Sequence, residues 1–375
     1  MAVPARIVPT LIHVPVTGRQ RAQSTITVVE SRIVAASQPV ARPDVLLVSL
    51  GSTAGLRAAD DALAGSLRRA GVDVAVATAE PQDDVRTFAL TDLRWARAAA
   101  AAARTALREH DPRTIVYSSM GAALLWPRPG AIRYDAPMAA NRPGRHGVWQ
   151  RPMERKRLRE STLLIAVDAE TLAETPRPHA DAVVVPIPVE PSGPTTAARD
   201  IAAVMYAADP QKKGLGAVLD AWERAAGEGD TLVVAGLDEQ RAEAYCKDTD
   251  AAPGARRGVR FAGKLDPAEF RALLRRARIF VTAPRREDYG MAQLEALADG
   301  CVLVTTPAPG PYAALPIARE LDLRLVTDDL ARALRIALDD PMPDYAARAA
   351  EAVRRFHPDA VDRMVVERLL PRLLP

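Results

Sequence analysis

Short apolar runs alternate with segments of helical periodicity along most of the chain. The first run, residues 45–50, is rich in Val and Leu and predicts a buried parallel strand. A Gly/Ser/Thr turn at 51–55 follows, and apolar positions then recur at helical spacing before a second strand at 72–77. This order predicts a βαβ unit.

The same alternation continues through a first domain, residues 44–190. An alanine-rich segment at 94–109 favours a helix strongly, and a basic segment at 152–160 predicts another. Apolar, partly β-branched runs predict further strands at 114–117, 132–134 and 162–167. We therefore expect an open, mostly parallel sheet with helices on its faces.

A proline-rich segment at 186–194 marks the expected boundary, because proline density disfavours helices and central strands. Beyond it, in a second domain over 191–355, strand-like runs alternate with helical segments. The predicted strands are 202–206, 231–235, 259–262, 279–282, 302–305 and 323–326. The fold class is α/β, with two doubly wound domains.

The two ends of the chain fit this alternation less well. Residues 1–43 form an extension in which strand-like runs at 7–16 and 24–34 flank a polar turn, a pattern that allows an antiparallel hairpin without assigning it a function. The last segment, 356–375, predicts a terminal helix over 359–373.

Composition excludes several classes of protein. A length of 375 residues accommodates two cores, and 48% hydrophobic with 26% charged residues is typical of a globular chain. No apolar run reaches the length of a membrane span and the start lacks a signal-peptide pattern, so we expect a cytoplasmic protein. The only cysteines, Cys246 and Cys301, lack metal-ligand spacing and are expected to be reduced thiols.

The most informative chemistry lies in residues 284–300. Glu287 and Glu295 have seven residues between them and flank a loop-to-helix junction that follows a strand. Free amides at such a helix start face the crevice at the strand ends, where the helix dipole favours a phosphate. The two carboxylates could then accept from hydroxyls at the two ends of a bulky ligand. The alternative is that Glu287 only complements the helix N-terminus and that Glu295 is solvated.

A lysine pair supplies candidate positive charge. Lys212 and Lys213 follow a predicted strand and precede Gly214, where a helix with apolar positions at helical spacing begins. The pair fits a phosphate contact, although a solvated loop is the alternative.

Three blocks, which occur along the chain in the same order as in the family, resemble the retaining GT-B glycosyltransferases of family four, which carry an E-x7-E motif. They are residues 284–300 with the Tyr289-Gly290 pair, residues 206–215 with Lys213-Gly214, and residues 259–265. The resemblance implies two Rossmann-like domains facing a central cleft and a terminal helix that crosses back to the first domain. It also implies retaining transfer of a sugar from a UDP- or GDP-linked donor to an unidentified acceptor hydroxyl, without metal or cofactor.

The resemblance also implies roles for individual residues. Glu287 and Lys213 are the expected catalytic residues, with Glu287 at the hydroxyls of the transferred sugar and Lys213 at the diphosphate. Glu295 is expected at the ribose. The other donor-binding candidates are Tyr289, Gly290, Met291, Lys212, Lys264 and Leu265. One departure is Ala207-Ala208, where many family members carry an arginine; either Lys212 supplies that charge or the diphosphate is held less firmly.

Candidates in the first domain are less specific. Gly51 and Ser52 could form an amide nest for the donor phosphates or a plain turn, and the resemblance places Asp135 near the sugar. Asp83-Asp84 is a carboxylate pair without other evident metal ligands, so a metal-dependent mechanism is the weaker alternative.

Residues 128–159 are strongly basic. This stretch could contact an anionic or lipid-linked acceptor, or a membrane surface, and a solvated basic helix is the alternative. Nucleic acid is not an expected partner, because aromatic residues make up only 4% of the chain and no recognition module occurs.

Other functions remain open on this architecture. A nucleotide-sugar epimerase fits the lysine block and spaced glutamates less well, and a glycogen phosphorylase-like enzyme would need a pyridoxal-phosphate lysine segment that we do not find. A non-catalytic nucleotide-sugar-binding protein is the third alternative, because of the missing arginine.

Overall fold

The N-terminal lobe is built on a six-stranded parallel sheet. The computed structural model describes residues 42–83, 85, 87–142, 144–194, 199–248 and 257–375. The strands are β1 (Val45–Ser49), β2 (Val74–Thr78), β3 (Thr114–Tyr117), β4 (Ala131–Tyr134), β5 (Leu164–Ala166) and β6 (Ala182–Val184). Their order in the sheet is β2-β1-β3-β4-β5-β6. The sequence predicted the first five of these strands and missed β6.

Helices cover both faces of this sheet. They are α1 (Ala54–Arg69), α2 (Phe88–Glu109), α3 (Met120–Ala123), α4 (Met138–Asn141), α5 (Gln150–Glu160) and α6 (Ala169–Glu174), with a 3-10 turn at Gly144–Gly147. Leu63 and Leu67 of α1 pack with Val45 and Leu47 on one face. Ala99 and Ala103 of α2 pack with Leu46 and Val48 on the other.

The C-terminal lobe repeats the design with a five-stranded parallel sheet. Its strands are β7 (Ile201–Tyr206), β8 (Leu232–Ala235), β9 (Val259–Gly263), β10 (Ala277–Thr282) and β11 (Val302–Thr305), in the order β11-β10-β7-β8-β9. Its helices are α7 (Leu215–Ala225), α8 (Glu239–Asp248), α9 (Pro267–Arg276), α10 (Met291–Ala298), α11 (Ala314–Leu321), α12 (Leu330–Asp339) and α13 (Tyr345–Val353).

One predicted strand is wrong. Residues 323–326 do not extend the second sheet: Leu323–Leu325 is a 3-10 helix, and only Val326 makes an isolated bridge to Thr305. The cause is Asp322, whose carboxylate accepts from the backbone N–H of Arg324 and pairs with the Arg324 guanidinium at 2.8 Å. These local hydrogen bonds close a tight turn, which the apolar composition of residues 323–326 does not predict.

The chain returns to the N-terminal lobe at its end. The returning helix comprises α14 (Pro358–Met364), a π-helical segment (Val365–Leu369) and α15 (Leu370–Leu373). Its buried side chains recur every four residues and join the core beneath α1 and β1; they are Val361, Val365, Leu369 and Leu373. Asp362 also pairs with Arg69 of α1 at 2.6 Å.

The chain passes between the lobes twice, in the linker after β6 and again before α14, and the two passing segments lie next to each other. The linker residues Ile187 and Val189 are buried, and the backbone N–H of Val189 donates to the carbonyl of Phe356 at 2.8 Å. Residues 40–375 form one compact unit. The hairpin predicted within residues 7–34 lies outside the described residues. No helix in the described ranges combines the length and apolar character of a membrane crossing.

Candidate functional site

The carboxyl ends of the two sheets face a shared cavity of about 350 Å³, within the usual range of small-molecule sites. In the second sheet the strand order reverses between β10 and β7. Open α/β sheets bind ligands at such a switch point. The loops after these two strands carry Glu287 and Lys213, so the topology brings together residues that are 74 positions apart.

The two expected catalytic residues form a tight ion pair. Lys213 Nζ lies 2.6 Å from Glu287 Oε2, which also accepts from Gln293 Nε2 at 2.9 Å. Gly214 makes this approach feasible. Its φ is +71°, and a Cβ there would lie 1.9 Å from the carbonyl oxygen of Ala283. Only glycine lets the lysine loop pack directly on the end of β10.

A second ion pair of the C-terminal lobe is bonded to the N-terminal lobe. Lys212 Nζ lies 3.3 Å from Asp288 Oδ2, and the same oxygen accepts from Asn141 Nδ2 of the N-terminal lobe at 3.0 Å. Arg286 pairs with Asp288 at 3.0 Å and with Glu174 of α6 at 2.5 Å. The loop that carries Glu287 is therefore tied to both lobes.

The start of α10 presents an uncapped helix N-terminus to the cavity. Gly290 at the N-cap has φ +89° and no side-chain cap, and the first turn holds no acidic residue. The Met291 and Ala292 positions line the cavity. The positive end of the helix is therefore available to an anionic ligand.

Tyr289 lines the same cavity, but its hydroxyl has a structural partner. It accepts from the backbone N–H of Ile187 at 3.0 Å and faces the Ile187 carbonyl at 3.2 Å. The Tyr289 side chain therefore holds the linker at the base of the cavity, and its hydroxyl is already occupied by the Ile187 backbone.

Glu295 lies on the cavity wall farther along α10, 3.9 Å from Arg271. Burial raises the pKa of its carboxyl, and Arg271 opposes that shift. Nearby, the Tyr206 and Phe270 rings lie 5.3 Å apart and Leu265 joins them in the lining. This apolar wall beside a carboxylate suits a base and its ribose.

Three predicted donor contacts do not line the cavity. Lys264 is exposed outside it, whereas the next residue, Leu265, lines it. Gly51 and Ser52 are also absent from the lining, and the Gly51 carbonyl accepts from Arg57 Nη1 at 2.7 Å. In their place Thr53, Gly55 and Leu56 at the start of α1 form the wall.

Asp135 lines the cavity at the end of β4. Burial raises the pKa of its carboxyl and the neighbouring charge of Asp288 adds to the shift, while Lys212 and Arg133 oppose it. Asp168, at the end of the adjacent strand β5, has its pKa raised to about 6 by burial.

The basic stretch 128–159 is not one solvated surface. Arg133 is buried in β4, Arg142 pairs with Asp92 at 2.8 Å, and Arg157 donates to the Leu124 carbonyl. Five of its cations are exposed, namely Arg128, Arg145, Arg155, Lys156 and Arg159. Sequence analysis grouped Arg133 with this surface and missed its place in the cavity lining. The available signal was a lone charge inside an otherwise apolar strand.

The described residues contain no cluster of three potential metal-ligating side chains. Asp84, half of the carboxylate pair considered for a metal, lies outside the described residues.

Comparisons with known proteins match part of the chain in sequence. Residues 199–340 match the family model described as "Glycosyl transferases group 1". A 130-residue segment is 36% identical to glycogen synthase from two strains of Mycobacterium tuberculosis. That segment is 34% of this chain and 30% of those relatives, so the match spans less than a third of their length.

Solved structures match the fold over both lobes. The sucrose-phosphate synthase of Thermosynechococcus elongatus has a TM-score of 0.67 at 15% identity, covering 86% of this chain and 97% of its own. WaaG, a glycosyltransferase involved in lipopolysaccharide biosynthesis, gives 0.64 at 15% identity, with coverage of 86% and 99%. Anabaena HepE, solved with UDP-glucose, gives 0.62 at 16% identity, with coverage of 87% and 99%. The fold is GT-B, with two Rossmann-like domains, as the sequence predicted. The family match and the fold together support a GT-B glycosyltransferase.

Proposed function

We propose that this protein is a retaining glycosyltransferase that moves a sugar from a nucleoside diphosphate sugar to an acceptor hydroxyl. The observation that carries the proposal is one cavity that joins the Lys213–Glu287 pair, the uncapped start of α10 and Glu295. Together these groups offer cations and a helix dipole for a diphosphate, with a carboxylate at each end for hydroxyls.

We place the donor in the cavity in one orientation. Its base packs against Tyr206 and Phe270, and its ribose hydroxyls donate to Glu295. The diphosphate lies between the start of α10 and the lysine pair. The sugar then extends past Glu287 toward Asp135 in the N-terminal lobe, where the acceptor enters.

Positive charge near the leaving group lowers the barrier to transfer. As the sugar–phosphate bond breaks, negative charge grows on the diphosphate, and a preorganised cation stabilises it more than it stabilises the bound donor. Lys213 and Lys212 supply that charge here, so we propose that transfer needs no divalent cation. By family resemblance, the leaving phosphate helps to deprotonate the acceptor on the same face, which retains the anomeric configuration.

The test starts with a thermal-shift screen of UDP- and GDP-sugars, because one structural neighbour was solved with UDP-glucose. The stabilising donor is then assayed for transfer and for release of free nucleoside diphosphate, with and without EDTA. We expect turnover that survives chelation and an α-linked product from an α-linked donor. Binding without turnover over an acceptor panel favours the binding-protein alternative. Metal-restored activity contradicts the metal-independent mechanism, and a β-linked product contradicts retention.

We also propose that the N-terminal lobe contacts an anionic lipid surface, where a lipid-linked acceptor would be found. Three exposed apolar side chains, Phe88, Leu90 and Val148, lie at the starts of α2 and α5. The Phe88 ring contacts His146, and Trp149 Nε1 donates to the Ala89 carbonyl, so the two segments adjoin. Three exposed cations, Arg155, Lys156 and Arg159, lie on α5, which begins two residues after Val148. Such a pairing is typical of interfacial binding.

Vesicle sedimentation tests this surface directly. We expect binding to phosphatidylglycerol vesicles that decreases with salt and is weakened in a Phe88→Ser, Leu90→Ser double variant. Equal binding by the variant and the wild type, or equal binding to neutral vesicles, would contradict the proposal.

A further inference from the structure

Strand β4 carries a buried arginine at the floor of the cleft. Arg133 is only 4% exposed, yet it lines the cavity. The other residues of the strand, Ala131, Ile132 and Tyr134, are apolar or aromatic and belong to the core. A charged group in such a strand is costly unless it is well paired.

The pairing of Arg133 within the described residues is weak. Its single hydrogen bond runs from Nη1 to Asp60 Oδ1 at 3.4 Å, near the upper limit for such a bond. A guanidinium has five N–H donors, so most of those on Arg133 find no protein acceptor among the described residues. The contrast with the Lys213–Glu287 pair at 2.6 Å is large.

Asp60 is itself committed elsewhere. Its Oδ2 accepts from the hydroxyls of Ser49, the last residue of β1, and Ser118, which follows β3. Burial raises the pKa of the Asp60 carboxyl, and the bonds from Ser49 and Ser118 and the charge of Arg133 oppose that shift. The other carboxyl near Arg133, that of Asp135, also has its pKa raised by burial. Among the described residues, Asp60 is thus the only carboxylate that accepts a hydrogen bond from Arg133, and its other oxygen accepts from two serines.

The position of Arg133 indicates which part of a ligand it meets. It belongs to the N-terminal lobe, whereas the lysine pair and α10 belong to the other lobe, where the diphosphate is expected. The same wall carries the start of α1, at Thr53 and Gly55, with no acidic residue in its first turn. An anion here would belong to a sugar and not to the diphosphate.

We propose that Arg133 binds a carboxylate or phosphate group carried by one of the two sugars that meet in the cleft. This inference rests on the proposed function and adds a substrate class: a uronic acid in the donor, or a phosphorylated or acidic acceptor. Fork-shaped guanidinium groups match both anions with two parallel hydrogen bonds.

The experiment measures anion binding with the diphosphate site filled. Inorganic phosphate is titrated calorimetrically into the protein saturated with the nucleoside diphosphate found in the donor screen. We expect saturable binding that Arg133→Gln weakens by about tenfold or more, the scale of one charged hydrogen bond. The matched control is Arg145→Gln, which replaces an exposed arginine outside the cavity and should bind phosphate as the wild type does.

Asp60→Asn separates a binding role from a structural one. Removing the counter-charge frees the guanidinium, so phosphate should bind this variant at least as tightly as it binds the wild type. Weaker binding in Asp60→Asn, undiminished binding in Arg133→Gln, or no phosphate binding by the wild type would each overturn the proposal.

Two further comparisons assign the anion to its source. Tighter binding of UDP-glucuronate than of UDP-glucose, lost in Arg133→Gln, assigns it to the donor. Tighter binding of glucose 6-phosphate or glucuronate than of glucose, again lost in the variant, assigns it to the acceptor. If no nucleoside diphosphate binds at all, the proposed function fails; if it binds but phosphate does not, this inference alone fails.

Discussion

The cations of the proposed donor site are already paired with carboxylates. Lys213 meets Glu287 at 2.6 Å and Lys212 meets Asp288 at 3.3 Å. An arriving diphosphate must therefore share or displace these partners. Once the lysines turn to phosphate, Glu287 is free to accept from the sugar hydroxyls. The ion pairs thus position both members for the donor without a large rearrangement.

The role of Glu295 yields a prediction that isolates the ribose. Glu295→Gln should weaken binding of the nucleoside diphosphate by about 1.5–3 kcal/mol, the scale of a hydrogen bond to a charged group. Calorimetry with the diphosphate and with its 2′-deoxy and 3′-deoxy forms measures this. The wild type should discriminate against the deoxy forms, and the variant should lose that discrimination.

A matched control is Glu223→Gln, which changes an exposed glutamate of α7 and should leave both affinities unchanged. If Glu295→Gln binds the full and deoxy ligands as the wild type does, the ribose assignment is wrong.

At the scale of elements, the short helix α6 fixes the end of strand β4, which lines the cleft. Asp168 caps α6 by accepting from the backbone N–H of Thr171, whose hydroxyl donates to the Asp135 carbonyl at 2.8 Å. The second carboxylate oxygen of Asp168 is buried without a hydrogen-bond partner among the described residues. The cap therefore holds the end of β4 but leaves a charge poorly solvated.

This cap predicts a pH-dependent gain in stability. Burial raises the Asp168 pKa from 3.8 to about 6, so above pH 6 the folded protein bears a charge that is more stable in the unfolded chain. As the pH falls from 6 toward 3.8 the folded carboxyl is protonated first and that cost is lost.

The Asp168→Asn variant keeps a good cap without the charge. The gain in unfolding free energy of this variant over the wild type should be larger at pH 8 than at pH 4, by at most about 3 kcal/mol. Urea unfolding at both pH values measures the difference. An Asn effect that is the same at both pH values, or larger at pH 4, contradicts the assigned pKa shift.

Sequence patterns predicted elements well and side-chain directions less well. Apolar runs located ten of the eleven strands described, because burial on both faces leaves a strong signal. The strand predicted at residues 323–326 was wrong because one carboxylate, Asp322, bonds locally. The motif blocks located the two loops that carry Lys213 and Glu287. They did not show that Leu265 lines the cavity whereas its neighbour Lys264 is exposed outside it. Arg133 was grouped by charge although its strand position implied burial.

At the scale of the whole molecule, the cleft depends on two lobes held close together. Tyr289 fixes the linker, the terminal helix packs beneath α1, and Asn141 and Glu174 contact the Glu287 loop across the cleft. These contacts place the helix starts of both lobes on one cavity. In the proposed function, the C-terminal lobe binds the donor, and the N-terminal lobe contributes Asp135, Arg133 and the acceptor side.

The central claim is that this cavity stabilises the diphosphate leaving group through Lys213. Turnover at saturating donor tests it most directly, in the wild type and in three lysine-to-alanine variants, at positions 213, 212 and 264. Lys213→Ala should lower the rate on the order of 10²–10³-fold, as the loss of one preorganised charge-stabilising donor does. Lys212→Ala should do less, and exposed Lys264→Ala should leave the rate unchanged. A near-wild-type rate for folded Lys213→Ala would contradict this claim: collapse of Lys212→Ala beside it would transfer the role to Lys212, and near-wild-type rates in both would remove this loop from the mechanism.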